Sequence, residues 1–148
     1  MENDKEYFMQ VALGEALKAK NKNEVPIGAI IVCNNKIVAK AYNNREKKQN
    51  AINHAEILAI SKACRKFKSW RLDDCDIYIT LQPCLMCLGA IYNARIKNVY
   101  FGAYDTSNNI FNSNLINESN LNHKINFEGG VLKEKCEFLL KDFFKSKR

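Results

Sequence analysis

Apolar residues in this chain switch between a spacing of three to four and short β-branched blocks, an alternation that restricts it to folds in which helices cover a sheet. From Lys5 to Lys20, Phe8, Val11, Ala12, Ala16 and Ala19 recur at helical spacing and predict a first amphipathic helix. Pro26-Ile27-Gly28-Ala29-Ile30-Ile31-Val32 and Lys36-Ile37-Val38-Ala39-Lys40-Ala41 read as the strands of a β-hairpin with Asn34-Asn35 as its turn. Asn43 to Asn53 is polar and reads as a loop, and His54-Ala55-Glu56-Ile57-Leu58-Ala59-Ile60 opens a second helix that runs to about Phe67. Asp76 to Leu81 is a third strand. Pro83 suits the first turn of a helix that continues from Cys84 to Ala94. Asn98 to Ala103 forms a fourth strand, and the Asn- and Ser-rich stretch from Asp105 to Lys124 a partly helical loop. Ile125-Asn126-Phe127-Glu128 makes a last short strand. Gly129-Gly130 then precedes a closing helix from Val131 to Lys145, with Leu132, Cys136, Leu139, Leu140 and Phe143 on one side. With no internal repeat, this order makes one α/β sandwich: a mixed sheet covered by helices, in a single domain over residues 1–148.

The size and composition agree with that reading. A chain of 148 residues can bury most of the surface that it exposes when unfolded, and 47% hydrophobic with 26% charged residues is ordinary for a soluble globular protein. The N-terminus lacks a basic start followed by an apolar run. No window approaches the roughly eighteen apolar residues of a membrane span, so the expected location is cytoplasmic, with no membrane partner. In that setting the six cysteines point to metal binding or burial rather than to disulfides, and Cys33, Cys64, Cys75 and Cys136 read as small buried hydrophobes. The net charge of +7 favours a polyanionic partner without identifying it.

The chemistry is concentrated at two helix starts. Cys84 and Cys87 stand three apart at a helix N-terminus, where they share a face and the helix dipole favours thiolates. They amount to half of a zinc site, and a second Cys-x-x-Cys pair, which would indicate a structural zinc, is missing. His54, one of only two histidines, begins another helix and is the candidate third ligand. Two thiolates and one imidazole leave the fourth tetrahedral position open, as catalytic zinc sites do. Glu56, two residues after His54, is placed to be a proton shuttle that is not itself a ligand: it would move a proton from water to a ring nitrogen and then to the leaving amine. His-x-Glu together with Pro-Cys-x-x-Cys is the known signature of base-flipping zinc deaminases.

Beyond this signature, the chain resembles the bacterial tRNA-specific adenosine deaminases over nearly its full length. Resembling segments are Glu24-Val25-Pro26-Ile27-Gly28-Ala29, His54-Ala55-Glu56-Ile57, Trp70-Arg71-Leu72, Thr80-Leu81-Gln82-Pro83-Cys84-Leu85-Met86-Cys87, Phe101-Gly102-Ala103-Tyr104-Asp105, Asn122-His123 and Asp142-Phe143-Phe144. The resemblance implies a cytidine deaminase-like three-layer sandwich with a mixed five-stranded sheet. It also implies a homodimer with one Zn2+ per subunit that acts on the wobble adenosine in the anticodon stem-loop of an arginine tRNA to make inosine. It further implies that Asn43 contacts the target nucleoside, that Val25, Pro26 and Leu81 wall the pocket, and that Asp105 lies beside the ribose of a flanking nucleotide. His123 would occupy an anticodon-side loop, where it could stack on RNA or hydrogen-bond to it. Phe144 belongs to a basic, aromatic ending that suits single-stranded RNA, with one of Phe143 and Phe144 in the core.

Some residues depart from the family pattern. Gln82 stands where Glu is usual, Asn109 and Asn112 stand where glycine is common, and the resemblance is poor between Phe111 and Leu121. Two other functions remain open: a guanine or other free-base deaminase with the same zinc machinery, and a catalytically silent zinc subunit that helps a partner bind RNA. Intact Glu56 argues against the second. The apolar stretch from Leu85 to Tyr92 can be either subunit interface or buried helix.

Overall fold

The computed structural model describes residues 2–106 and 123–147, with the side chains of residues 2 and 3 left undescribed. Asn109, Asn112, Asn122 and the Phe111–Leu121 stretch therefore lie outside the described residues. The first element is α1 (Glu2–Asn21), followed by the hairpin of β1 (Gly28–Cys33) and β2 (Lys36–Tyr42). Asn34 (φ 51°) and Asn35 (φ 65°) are both left-handed, as a two-residue turn between right-twisted strands requires, and asparagine tolerates that backbone. Next come a short α2 (Arg45–Lys48), α3 (Ala55–Phe67), β3 (Cys75–Leu81), α4 (Leu85–Asn93), β4 (Asn98–Ala103), β5 (Asn126–Glu128) and α5 (Lys133–Ser146).

The five strands form one mixed sheet in the order β2-β1-β3-β4-β5. β1 is antiparallel to both β2 and β3, whereas β4 is parallel to β3 and β5. A parallel neighbour needs a crossover, and α4 makes the one between β3 and β4. The period of two along each strand then sorts side chains to the two faces. Ala29, Ile31, Ile77 and Ile79 join Ala55, Ala59 and Ala63 of α3 and Ile91 of α4 in one core. Ile30, Val32 and Tyr78 join Phe8, Met9, Ala12 and Leu13 of α1 and Cys136 of α5 in the other. The expected three-layer sandwich is what forms: α3 and α4 on one face, α1 and α5 on the other.

Four details differ from the sequence reading. The polar stretch after β2 contains α2, a single turn that periodicity cannot detect. His54 and Cys84 are the N-caps of α3 and α4, so Pro83 precedes its helix instead of occupying its first turn. The closing helix starts at Lys133 because Leu132 is left-handed (φ 52°). Cys33 and Cys64 are only half-buried, whereas Cys75 and Cys136 are buried as expected. No helix among the described residues is long and apolar enough to cross a membrane.

The helices lie very close to the sheet. A Cβ on Gly28 would stand 2.0 Å from the Ala12 carbonyl oxygen and 2.6 Å from the Ala16 nitrogen, both backbone atoms that cannot give way locally. Gly14, on the outer side of α1, has nothing within 4 Å of such an atom. Gly28→Ala should therefore destabilise the protein by about 3 kcal/mol through overpacking. Gly14→Ala should stabilise it by about 0.5–1 kcal/mol through helix propensity. Denaturant unfolding of the two variants checks the pair, and equal losses would contradict the close approach of α1 to β1.

Candidate metal centre and active site

Two helices begin at the same end of the sheet, and their caps bring the candidate ligands together. His54 and Cys84 both have extended backbone (φ −77°, ψ 151° and φ −76°, ψ 175°), and neither side chain caps its own helix. For α3, Asn43 supplies the cap: its Oδ1 accepts the Ala55 N–H at 2.8 Å. That leaves the His54 imidazole free to turn toward α4, where its Nδ1 lies 3.7 Å from Cys84 Sγ and 3.5 Å from Cys87 Sγ. All three ligand atoms lie within 4.8 Å of one another. A tetrahedral zinc with ordinary Zn–N and Zn–S bonds would set such N···S edges at about 3.5 Å. The residues fit the ion in distance as well as in donor type.

The electrostatics suit a cation. Hydrogen bonds from the Cys87 thiol, and next from His54, bring the Cys84 thiol down to about 4. The same Cys84 partner, above all, raises the His54 imidazole. Cys87 is pushed up, first by its hydrogen bond with Cys84 and then by burial. A bound cation would displace protons from His54 and Cys87.

Glu56 sits beside this triad and is 4% exposed. Burial raises its carboxyl above the usual range, and its Oε1 has no hydrogen-bond partner. A buried, orphaned carboxyl oxygen beside three metal-type ligands is costly to keep in a purely structural site. It has a ready explanation where water and substrate enter.

The other candidates are placed less uniformly. Pro26 is buried, and Val25 and Leu81 are half-buried. Asn43 is buried as the α3 cap and its backbone N–H donates to the Ile27 carbonyl at 3.1 Å; the capping role is hidden from the sequence because its partner lies twelve positions on. Asp105 is held by its backbone N–H, which donates to Gln82 Oε1 at 2.8 Å. Gln82, the departure from the family pattern, thus supplies the acceptor oxygen that this tether needs. Phe143 is buried, while Phe144 is 48% exposed. Phe144 and Val25 share an open cleft of about 630 Å³ with Lys22, Asn23, Lys47 and Lys147, which the metal ligands do not line.

His123 is not brought to the triad. It stacks on Tyr92 (4.9 Å between centroids, 4° between planes) near the far end of α4, with its Nδ1 3.3 Å from Arg95 Nη1. Sequence reading also missed Glu24, which is 2% exposed and whose two carboxylate oxygens accept the Glu46 and Lys47 N–H groups. Its acidic character inside an otherwise apolar strand entry was the available signal.

Comparison with known proteins agrees with this geometry. The model of the MafB19-like deaminase family matches residues 2–148. The tRNA-specific adenosine deaminase of Bacillus subtilis is 43% identical over 145 residues, covering 97% of this chain and 90% of the relative. A solved tRNA:A34 deaminase, studied for A-to-I editing at the wobble position of transfer RNA, superposes with a TM-score of 0.84 at 34% identity, covering 90% of this chain and 99% of the other. The guanine deaminase of Bacillus subtilis reaches a TM-score of 0.65 at 41% identity but covers only 68% and 65%. Because the likeness to the tRNA enzymes runs over nearly the whole length of both chains, this chain belongs to the family of the tRNA-specific adenosine deaminases.

Proposed function

We propose that this chain deaminates the wobble adenosine in the anticodon stem-loop of an arginine tRNA, giving inosine and ammonia. The observation that carries this reading is the buried Glu56 carboxyl, with one oxygen unpartnered, next to the His54, Cys84 and Cys87 group, in a chain that matches tRNA adenosine deaminases over nearly its whole length. His54, Cys84 and Cys87 would hold one zinc per subunit, and zinc supplies there a Lewis acid that makes water nucleophilic near neutral pH. Glu56 takes one proton from the water whose oxygen bonds to the amine-bearing carbon and passes it to the adjacent ring nitrogen; it then moves the remaining hydroxyl proton to the amine as the C–N bond breaks, leaving the carbonyl of inosine and ammonia. Burial suits this shuttle, since a carboxyl that holds its proton more tightly than usual can return it at neutral pH.

Reaching the amine requires the adenosine to leave its stack, so the loop nucleotide flips toward the site while Lys and Arg side chains hold phosphates. Val25, Pro26 and Leu81 would wall the base, Asn43 and Asp105 would meet the nucleoside and its neighbour, and Phe144 offers an exposed ring for stacking in the lysine-lined cleft. His123 would serve RNA only at the distant end of α4, with one face already covered by Tyr92. The homodimer finds support in α4, where Leu88 and Ile91 are buried but Leu85 and Met86 remain 49% and 36% exposed beside the site. Action on tRNA agrees with the expected cytoplasmic location.

Purified zinc-loaded protein should form inosine in a stem-loop carrying a wobble adenosine, and Glu56→Ala should slow this by about 100-fold or more. Turnover of free guanine alone would move the chain to the free-base branch, and full activity of Glu56→Ala would remove Glu56 from the mechanism. Affinity for the stem-loop should fall roughly tenfold between about 50 and 200 mM salt; a flat response would remove the phosphate contacts. Native mass spectrometry should give twice the 17.0 kDa chain mass with two zinc ions, and Cys87→Ser should lose the metal. A metal-free monomer from the unaltered chain would overturn both the dimer and the zinc assignment.

A further inference from the structure

Cys33 and Cys75 take no part in the site described above. They are direct cross-strand partners at the end of the β1–β3 ladder. The register also identifies what kind of pair they form. Cys33 closes the two-residue hairpin with Lys36, so its backbone groups point toward β2 and not toward β3. The Cys75 N–H is engaged with the Leu72 carbonyl at 3.0 Å. Cys33 and Cys75 are therefore a non-hydrogen-bonded antiparallel pair, the type with the shorter Cα separation of about 4.5 Å, with both side chains on one face. That separation falls within the roughly 4.4–6.8 Å that a disulfide spans without moving the backbone. The two thiols interact directly, and burial pushes Cys75 up to about 12.

We propose that Cys33 and Cys75 form a thiol–disulfide modification site, closed by exchange with a small-molecule disulfide such as oxidised glutathione. Cys33 is half-buried and Cys75 is 3% exposed, so access decides the order of events. The Cys33 thiol loses its proton to solvent and attacks one glutathione sulfur, forming a mixed disulfide and releasing one glutathione thiol. The Cys75 sulfur then displaces the second glutathione from Cys33, and its proton goes to the departing thiolate. One glutathione disulfide is reduced to two thiols for each protein disulfide formed. The new bond staples β1 to β3 at the start of β3, about 20 Å along that strand from the end that leads to Cys84. The metal triad is left as it was.

The test incubates reduced protein, prepared with zinc, with oxidised glutathione. Products are mapped by mass spectrometry after cleavage before aspartate and after lysine, which separates Cys75 from Cys84 and Cys87 at Asp76 and Cys33 from Cys64 at Lys36. The expected product has lost two hydrogens, links Cys33 to Cys75, reverts with dithiothreitol and is absent from Cys33→Ser. Cys33→Ala serves the same purpose if serine disturbs the packing. The thermal midpoint of the oxidised form should rise by about 5 °C or more over the reduced form. Cys64, whose Sγ faces the Trp70 carbonyl at 3.9 Å, provides the internal comparison, since its glutathione adduct should persist. A glutathione adduct that persists on Cys33, a link from Cys33 to another cysteine, or free Cys33 and Cys75 in protein already modified at Cys64 would each overturn the proposal.

Discussion

The arrangement rests on the convergence of two helix starts. A metal site built from one imidazole and two sulfurs needs its donor atoms within a few ångströms, yet His54 and Cys84 are thirty positions apart in sequence. β3 carries the chain across the sheet to the end where α3 already begins, and α4 starts there because the next strand must be reached by a crossover. Neither His54 nor Cys84 caps its own helix through its side chain, which leaves both side chains free to face one another. Asn43 fills that role for α3, so a buried asparagine outside the candidate triad fixes the backbone from which His54 and Glu56 project.

The surroundings keep that end of the sheet in place. Glu24 gathers the Glu46 and Lys47 N–H groups, tying the Val25-Pro26 segment to the turn that follows Asn43 and Asn44. Gln82 holds the start of the segment beyond β4 through Asp105. Both act through backbone N–H groups, which makes them supports for loop paths and not for chemistry. Glu56 is a carboxyl buried beside the triad with no partner for one of its oxygens. Such a group costs stability unless water or a bound molecule completes it.

Residue type and periodicity alone were enough for much of this molecule. The alternation of apolar spacing marked nine of the ten elements among the described residues, and the two faces of β1 and β3 follow directly from the period of two. His54, Glu56, Cys84 and Cys87 were legible because few other functions ask for an imidazole, a carboxyl and two thiols at helix starts. What local pattern could not carry was anything set by a distant partner. The single turn of α2 is too short to show a period, and the half-exposure of Cys33 and Cys64 depends on where the sheet ends and how the loops cover it. The capping role of Asn43, the engagement of His123 with Tyr92 and Arg95, and the facing of Cys33 by Cys75 are likewise tertiary. A sequence determines which donors and faces a chain possesses, because those depend on side-chain chemistry and neighbour spacing. Only the folded sheet, through strand order and register, decides which of them meet.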